Sequence, residues 1–227
     1  MRRSLIASLI TATAALVLAA CTGPAAQPRP ADARLLDAVR DGDASAVSAS
    51  LGDGADPDAR GEMDRPAVLM AARAGDVDIV RLLLADGADP NAADAIQDSA
   101  YLYAGAEGLT DILALTLEHG ADVTSTNRYG GTALIPASEH GHVATVRLLI
   151  DAGVDVDHVN KLQWTALLEA IILGTGSTDH IETVRMLLDA GADPELADGD
   201  GVTPRAHAVS RGFTEIVALL DAAGAER

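Results

Sequence analysis

One short phrase recurs along the chain at a nearly constant interval, and this interval constrains the fold more than any other feature. Variants of Gly-Ala-Asp place a glycine at positions 54, 87, 120, 153, 191 and 224, with spacings of 33, 33, 33, 38 and 33 residues. A second series of glycines stands at positions 42, 75, 108, 141 and 212. Both series slip by five residues at the same place, which predicts an insertion near residues 173–178 of a stacked repeat protein.

Each repeat has the pattern of two short helices. Ser99, Thr132, Thr165 and Thr203 are suited to cap the first helix, and the second series of glycines is suited to end it. One such pair has too little apolar surface to be stable alone, so neighbouring pairs must stack to form a common core. Only five residues of the chain are aromatic, which indicates a core of Ala, Leu, Val and Ile and an all-α fold.

The repeats resemble the ankyrin repeat family. Thr132-Ala133-Leu134, Gly141-His142 and the Gly153/Asp155 phrase follow the family pattern of TPL, GH and GAD. The resemblance implies an all-α ankyrin-repeat solenoid of about six helix-turn-helix units joined by β-hairpin-like loops, with the first and last units lacking a full hairpin. The expected domain spans residues 31–227, with units at about 31–63, 64–97, 98–130, 131–163, 164–201 (carrying the insertion) and 202–227.

The sequence departs from the family pattern in the hairpins. The hairpin glycine is replaced by Asp64, Gln97 and Gln163 in three of the turns. These replacements predict turns of less regular geometry.

The first thirty residues indicate export and lipidation. Arg2 and Arg3 precede an apolar run that ends in the sequence LAAC, which resembles a bacterial lipobox. The resemblance implies a signal peptide at residues 1–20 and a lipidated Cys21, followed by a Pro-rich tether over residues 21–30. The expected location is the cell envelope, outside the cytoplasm, with the lipid as the only membrane contact. An ordinary signal peptide or an uncleaved anchor is the alternative.

The charge balance excludes nucleic acid as a partner. The chain has 34 acidic residues against 16 Lys and Arg, a formal net charge of −18. Loss of residues 1–20 removes two arginines and no acid, which makes the charge −20. A chain with this negative charge repels phosphate backbones and favours a protein partner with a basic surface. The chain itself is expected to be a monomer.

The hairpin tips carry the candidate binding surface. Ankyrin stacks bind proteins through hairpin tips and first helices, and the second tip position here is apolar in four successive turns. Aromatic and basic residues stand beside this row, and such residues dominate binding hot spots. The predicted partner-binding residues are Met63, Ile96, Arg128, Tyr129, Lys161, Leu162 and Trp164. The alternative is that these side chains, Trp164 above all, fold back onto neighbouring hairpins.

Two tyrosines and six histidines complete the candidates. Tyr103 is expected in the apolar register of the core, and the hydroxyl of either Tyr101 or Tyr103 could face the groove. His142 follows the family's structural Gly-His pattern, so neither a metal site nor a cofactor is expected. No nucleophile and base fall in a catalytic arrangement. The chain is therefore expected not to be an enzyme, and the functional alternatives to partner binding are a structural spacer or, less favoured, a metal-dependent enzyme.

Overall fold

The computed structural model describes residues 29–224, and the predicted signal peptide, Cys21 and most of the tether lie outside the described residues. Over this range the chain forms twelve α-helices and no strand, in agreement with the predicted all-α fold. The helices are α1 (Pro30–Asp41), α2 (Ala44–Gly52), α3 (Ala67–Ala74), α4 (Val77–Ala85), α5 (Ala100–Ala106), α6 (Thr110–Glu118), α7 (Leu134–Glu139), α8 (Val143–Asp151), α9 (Ala166–Ile172), α10 (Thr178–Asp189), α11 (Pro204–Arg211) and α12 (Thr214–Ala223).

The helices stack as six antiparallel pairs with one continuous core. The first helices pack in the order α1, α3, α5, α7, α9 and α11, each against the next. Leu35, Leu113, Leu149 and Leu187 are fully buried and belong to a single apolar cluster that extends from α1 to α12. Because each pair contributes only a few of these side chains, the core exists only where neighbouring pairs meet.

The repeated glycines end the first helices as predicted. Gly42, Gly75 and Gly212 follow α1, α3 and α11 with φ of 70°, 73° and 72°, a left-handed conformation in which glycine is unstrained. Each cap donates its backbone N–H to carbonyls in the last turn of the helix. The glycine series therefore marks helix ends.

Three of the four predicted N-caps form. The side-chain oxygens of Ser99, Thr165 and Thr203 accept hydrogen bonds from the third residue of α5, α9 and α11, at 3.2, 3.2 and 3.3 Å. The prediction for Thr132 is wrong. A cap would need the N–H of Ile135, but this N–H donates instead to the Thr132 carbonyl at 3.2 Å. The buried Thr132 hydroxyl has no hydrogen-bond partner among residues 29–224.

Hydrogen bonds between loops join neighbouring repeats. Asp58 Oδ1 accepts from the backbone N–H of Asp89 at 2.8 Å, and Asn91 Oδ1 accepts from that of Asp122 at 2.7 Å. These bonds link positions about one repeat apart. They fix the register between neighbouring repeats at the loops that contain the Gly-Ala-Asp phrases.

The hairpin turns are more regular than the lost glycines suggest. Gln97 and Gln163 have φ of 66° and 63°, close to the 72° of Gly130 in the equivalent position. Only the first turn differs, because Met63 and Asp64 both have positive φ within a short 3-10 turn. An Asx side chain begins each of the other four turns by accepting two backbone N–H groups; these residues are Asp94, Asn127, Asn160 and Asp198.

The insertion forms an ordered loop within the fifth helix pair, and this loop contacts the sixth pair. It occupies the loop between α9 and α10, where Gly176 lies against the ring of Phe213. Arg211 donates to the carbonyls of Ile172 and Gly174 at 2.7 and 2.8 Å. The extra residues therefore contact the final helix pair. None of the helices between residues 29 and 224 has the length and apolar character to cross a membrane.

Candidate functional site

A groove of about 450 Å³ lies between the hairpin tips and the first helices of the central repeats. Helices α3, α5, α7 and α9 form its floor, and the turns before α5, α7 and α9 form its wall. Both apolar and charged side chains line it. They include Ile96, Leu102, Tyr103, Tyr129, Ile135, Leu162 and Leu173, together with Arg73, Asp98, Glu107, Arg128, Glu139 and Glu169.

The predicted row of apolar tips is largely exposed. Met63, Tyr129 and Leu162 are 52%, 53% and 54% exposed, so these three side chains do not fold back onto neighbouring hairpins. Ile96 is partly buried, and it lines the groove together with Tyr129 and Leu162. The tips therefore continue the apolar lining of the groove outward.

The other predicted site residues lie at different places around these tips. Arg128 is exposed and lines the groove, whereas Met63, Lys161 and Trp164 lie outside its lining. Lys161 Nζ donates to the carbonyl of Arg128 at 2.9 Å, and its backbone N–H donates to the carbonyl of Tyr129. Trp164 is partly buried. The groove thus brings together four of the seven residues predicted from the sequence.

Two arginines and one aspartate form a charged cluster in the groove. Arg128 and Arg73 approach the carboxylate of Asp98 at 3.3 and 3.9 Å. Their guanidinium groups also lie over the rings of Tyr129 and Tyr103, at 4.7 and 4.5 Å from the ring centres. Burial raises the pKa of Asp98 above its ordinary value, and the charge of Arg128 opposes this shift. The cluster fixes both aromatic rings at the groove.

The two tyrosines of α5 differ in burial. Tyr103, which was expected in the apolar register of the core, packs against the core as a partly buried residue. Tyr101 is the fully buried residue, whereas Tyr103 is partly exposed and lines the groove. Residues two apart on a helix point in different directions, so the two side chains of α5 cannot share one face. The buried Tyr101 hydroxyl has no hydrogen-bond partner within the described part of the chain.

A buried glutamate lies at the floor of the groove. Glu169 of α9 is only 6% exposed, and its Oε1 accepts a hydrogen bond from Nδ2 of Asn160 at 2.8 Å. Burial raises its pKa to about 7, the nearby Glu139 contributes in the same direction, and the Asn160 bond opposes the shift. Oδ1 of Asn160 accepts from the backbone N–H groups of Leu162 and Trp164. Asn160 therefore connects the floor carboxyl to a hairpin tip.

Several charged residues that line the groove were not among the predicted site residues. They include Arg73 on α3, Asp98 in the turn before α5, Glu139 on α7 and Glu169 on α9. A signal for Glu169 was present, because it is the one charged residue in the apolar run ALLEAII of α9. A charge in a helix that is otherwise buried requires a structural or functional partner.

The arrangement of these side chains is suited to binding another molecule. Within residues 29–224 no three His, Cys, Asp or Glu side chains converge as metal ligands would. The groove offers apolar surface, two ring faces and several carboxylates. Together the stacked helix pairs and this groove define a helical-repeat protein that presents an extended recognition surface.

Comparisons with known proteins identify the family. The model for ankyrin repeats, described as three copies, matches residues 35–127 and 103–198. An ankyrin repeat domain from Acinetobacter baumannii AYE is 55% identical in sequence, with a TM-score of 0.83 over 85% of this chain and 98% of that one. The ankyrin repeat protein EF0377 is 39% identical, with a TM-score of 0.80 over 83% and 96%. No significant match was found among curated proteins.

The chain belongs to the ankyrin repeat family. Proteins of this family are generally non-enzymatic modules for protein–protein interaction.

Proposed function

We propose that the chain is a lipid-anchored, extracytoplasmic protein-binding module that captures a partner with a basic surface through its hairpin tips and groove. Within this function it acts as an inhibitor or a scaffold of an envelope or secreted protein. The observation that carries the proposal is the exposed apolar row at the tips, which continues into a groove lined by carboxylates.

The exposed tips support recognition because they have the character of an interface. Three large apolar side chains, Met63, Tyr129 and Leu162, stand in equivalent turns with about half their surface in water. An exposed apolar row costs solubility unless it serves contact with another molecule. Arg128 stacks on Tyr129 and keeps this aromatic side chain in place, which lowers the entropy lost when a partner binds.

The acidic surface supports a basic partner. The formal charge of −18 creates a field that attracts basic proteins and accelerates their approach. The proposal of a lipid anchor is supported by Arg2 and Arg3, the apolar run that follows them and the sequence LAAC, and such an anchor holds the module at a membrane surface. Incorporation of radiolabelled palmitate tests the anchor: the label is expected in the wild type, and label that persists in Cys21→Ala would contradict lipidation there.

Site-specific photo-crosslinking tests the binding surface. A photoreactive phenylalanine analogue replaces Tyr129 in the full chain, and Val209 carries it in the control because its exposure of 52% matches the 53% of Tyr129. Irradiation in the native cell envelope is expected to give a discrete crosslinked protein from position 129 and none from position 209. Equal labelling at the two positions, or none at either, would contradict the proposed interface and leave a structural spacer.

A further inference from the structure

We infer that the groove floor at Glu169 is a subsite for one arginine or lysine side chain of the partner, flanked in the partner by apolar residues. This inference rests on the proposed function and names the chemistry of what enters the groove. It is carried by a buried carboxylate that the protein leaves incompletely paired at the floor of a cavity.

The carboxyl group of Glu169 has unused capacity to accept hydrogen bonds. Asn160 Nδ2 supplies one bond to Oε1, and no other hydrogen bond or salt bridge to this carboxyl occurs among residues 29–224. A carboxylate can accept about four hydrogen bonds, so most of its capacity is open. Glu169 is only 6% exposed. Because its side chain lines the cavity, a hydrogen-bond donor that enters the groove can reach it.

The protein's own cations do not neutralise this carboxylate. Arg73 and Arg128 also line the groove, but both are directed at Asp98, at 3.9 and 3.3 Å. Glu139 on the neighbouring helix α7 adds a second negative charge near Glu169. The floor around Glu169 therefore has an excess of negative charge that a partner cation can complement.

The shape of the lining favours a long basic side chain. Tyr103, Leu162 and Leu173 provide apolar surface between the groove opening and its floor. Arginine and lysine have an apolar stem and a charged end, so the stem can lie along these residues while the end reaches the carboxylate. A guanidinium group can also donate two parallel bonds to a carboxylate.

The groups around Glu169 set the pH dependence of such binding. Helix α9 packs against α7, α10 and α11, which bring Glu139, His180, His207 and Arg211 to its surroundings. His180 Nε2 lies 2.9 Å from the carbonyl of Glu139, His207 is paired with Asp198, and Arg211 donates to the carbonyls of Ile172 and Gly174. Burial of Glu169 and, to a smaller extent, the charge of Glu139 raise the pKa of Glu169 to about 7. A bound cation lowers that pKa, so affinity rises as the pH rises through about 7.

A pair of tripeptides tests the subsite on the full chain held in detergent. The probes are N-acetyl-Leu-Arg-Leu-amide and the same peptide with citrulline, which keeps the shape of arginine but has no charge. Binding is followed by the fluorescence of Trp164, the one tryptophan of the chain, which shares Asn160 with Glu169. The arginine peptide is expected to bind at least about tenfold more tightly than the citrulline peptide at pH 8. This ratio is expected to decrease at pH 6.

Two variants assign the effect to the floor carboxyl. Glu169→Gln is expected to bring the arginine-to-citrulline ratio close to one. Glu182→Gln is the matched control and leaves the ratio unchanged, because Glu182 is half-exposed and lies near Arg147 and Arg185 outside the groove. The citrulline comparison uses the wild-type chain, so it decides the question even if Glu169→Gln does not fold.

Each contrary result has a separate meaning. Equal affinity for the two peptides, or no saturable binding of the arginine peptide, would overturn the subsite. Crosslinking from position 129 would then still support the proposed function. Peptide discrimination without crosslinking in the native envelope would keep the subsite and overturn the proposed interface at the tips.

Discussion

Two glutamines hold the left-handed position that glycine occupies in other turns of this protein. Gln97 and Gln163 have φ of 66° and 63°, against 72° and 78° for Gly130 and Gly201. A left-handed conformation costs a residue with a side chain about 1 kcal/mol or more. The Asx side chain at the start of each turn offsets this cost by binding two backbone N–H groups.

Gln97→Gly is therefore expected to stabilise the protein. Relief of the left-handed strain outweighs the added freedom of the unfolded chain, and the expected gain in unfolding free energy is about 0.5–1 kcal/mol. Urea unfolding measures it. Ala95→Gly in the same turn is the control, because Ala95 does not have a positive φ, and it is expected to lose a similar amount. A loss at both positions would show that the turn carries no strain at Gln97.

Glu169 is expected to make stability fall as the pH rises. Its pKa is raised from 4.5 to about 7, so between these values the folded state binds more protons than the unfolded state. Stability contributed by the neutral carboxyl is complete below about pH 4.5 and decreases as the pH rises toward 7. Between pH 5 and pH 8 the loss is about 2 kcal/mol.

Glu169→Gln is expected to remove this loss. Comparison of urea unfolding at pH 5 and pH 8 isolates the effect, because the amide does not titrate. Glu118→Gln, an exposed position at the end of α6, provides the control and is expected to keep the wild-type pH dependence. An unchanged pH dependence in Glu169→Gln would show that the Glu169 carboxyl does not cause the loss of stability with rising pH.

Residue-scale prediction from the sequence succeeded where a residue type has one dominant structural use. The glycines after the first helices and the caps at Ser99, Thr165 and Thr203 were predicted because their backbone roles are local. The missing cap at Thr132 was not predicted, because hydrogen-bond competition depends on the packed structure. The seven predicted site residues came from the tips alone, and the floor residues required the geometry of four adjacent helices.

At the scale of elements, the insertion after α9 couples the last two helix pairs. The sequence located it near residues 173–178 from the phase shift alone, but could not show what it touches. In the structure Gly176 has φ of 69°, and a Cβ atom there would lie 2.6 Å from the ring of Phe213. The loop therefore has no room for a side chain at this position.

Gly176→Ala is expected to destabilise the protein by about 2–4 kcal/mol. Left-handed strain accounts for about 1 kcal/mol, and overpacking against Phe213 accounts for the rest. Gly75→Ala is the matched control, since Gly75 has φ of 73° but nothing within 4 Å of the added methyl group. Thermal and urea unfolding compare the two variants. Equal losses would mean that the insertion does not pack against the final pair.

At the scale of the whole molecule, the apolar core and the proposed recognition surface lie in different layers of the stack. The core is a single apolar cluster between helices, and residues such as Leu113 and Leu149 have no exposed surface. The hairpin tips lie at the edge of this core and keep about half of three large apolar side chains in water. The fold was predictable from the repeat period because each unit repeats the same local rules. The partner was not, because recognition depends on the side chains that depart from the repeat.

The unfolding free energy of a triple tip variant tests this division most directly. Met63→Ser, Tyr129→Ser and Leu162→Ser are combined in one chain and compared with the wild type by urea unfolding. The three side chains contribute little to the core, so the variant is expected to remain within about 1 kcal/mol of the wild type. Leu149→Ala, a fully buried position, is expected to lose about 2–5 kcal/mol. A loss in the tip variant as large as that in Leu149→Ala would show that the row is part of the core and would contradict its assignment to recognition.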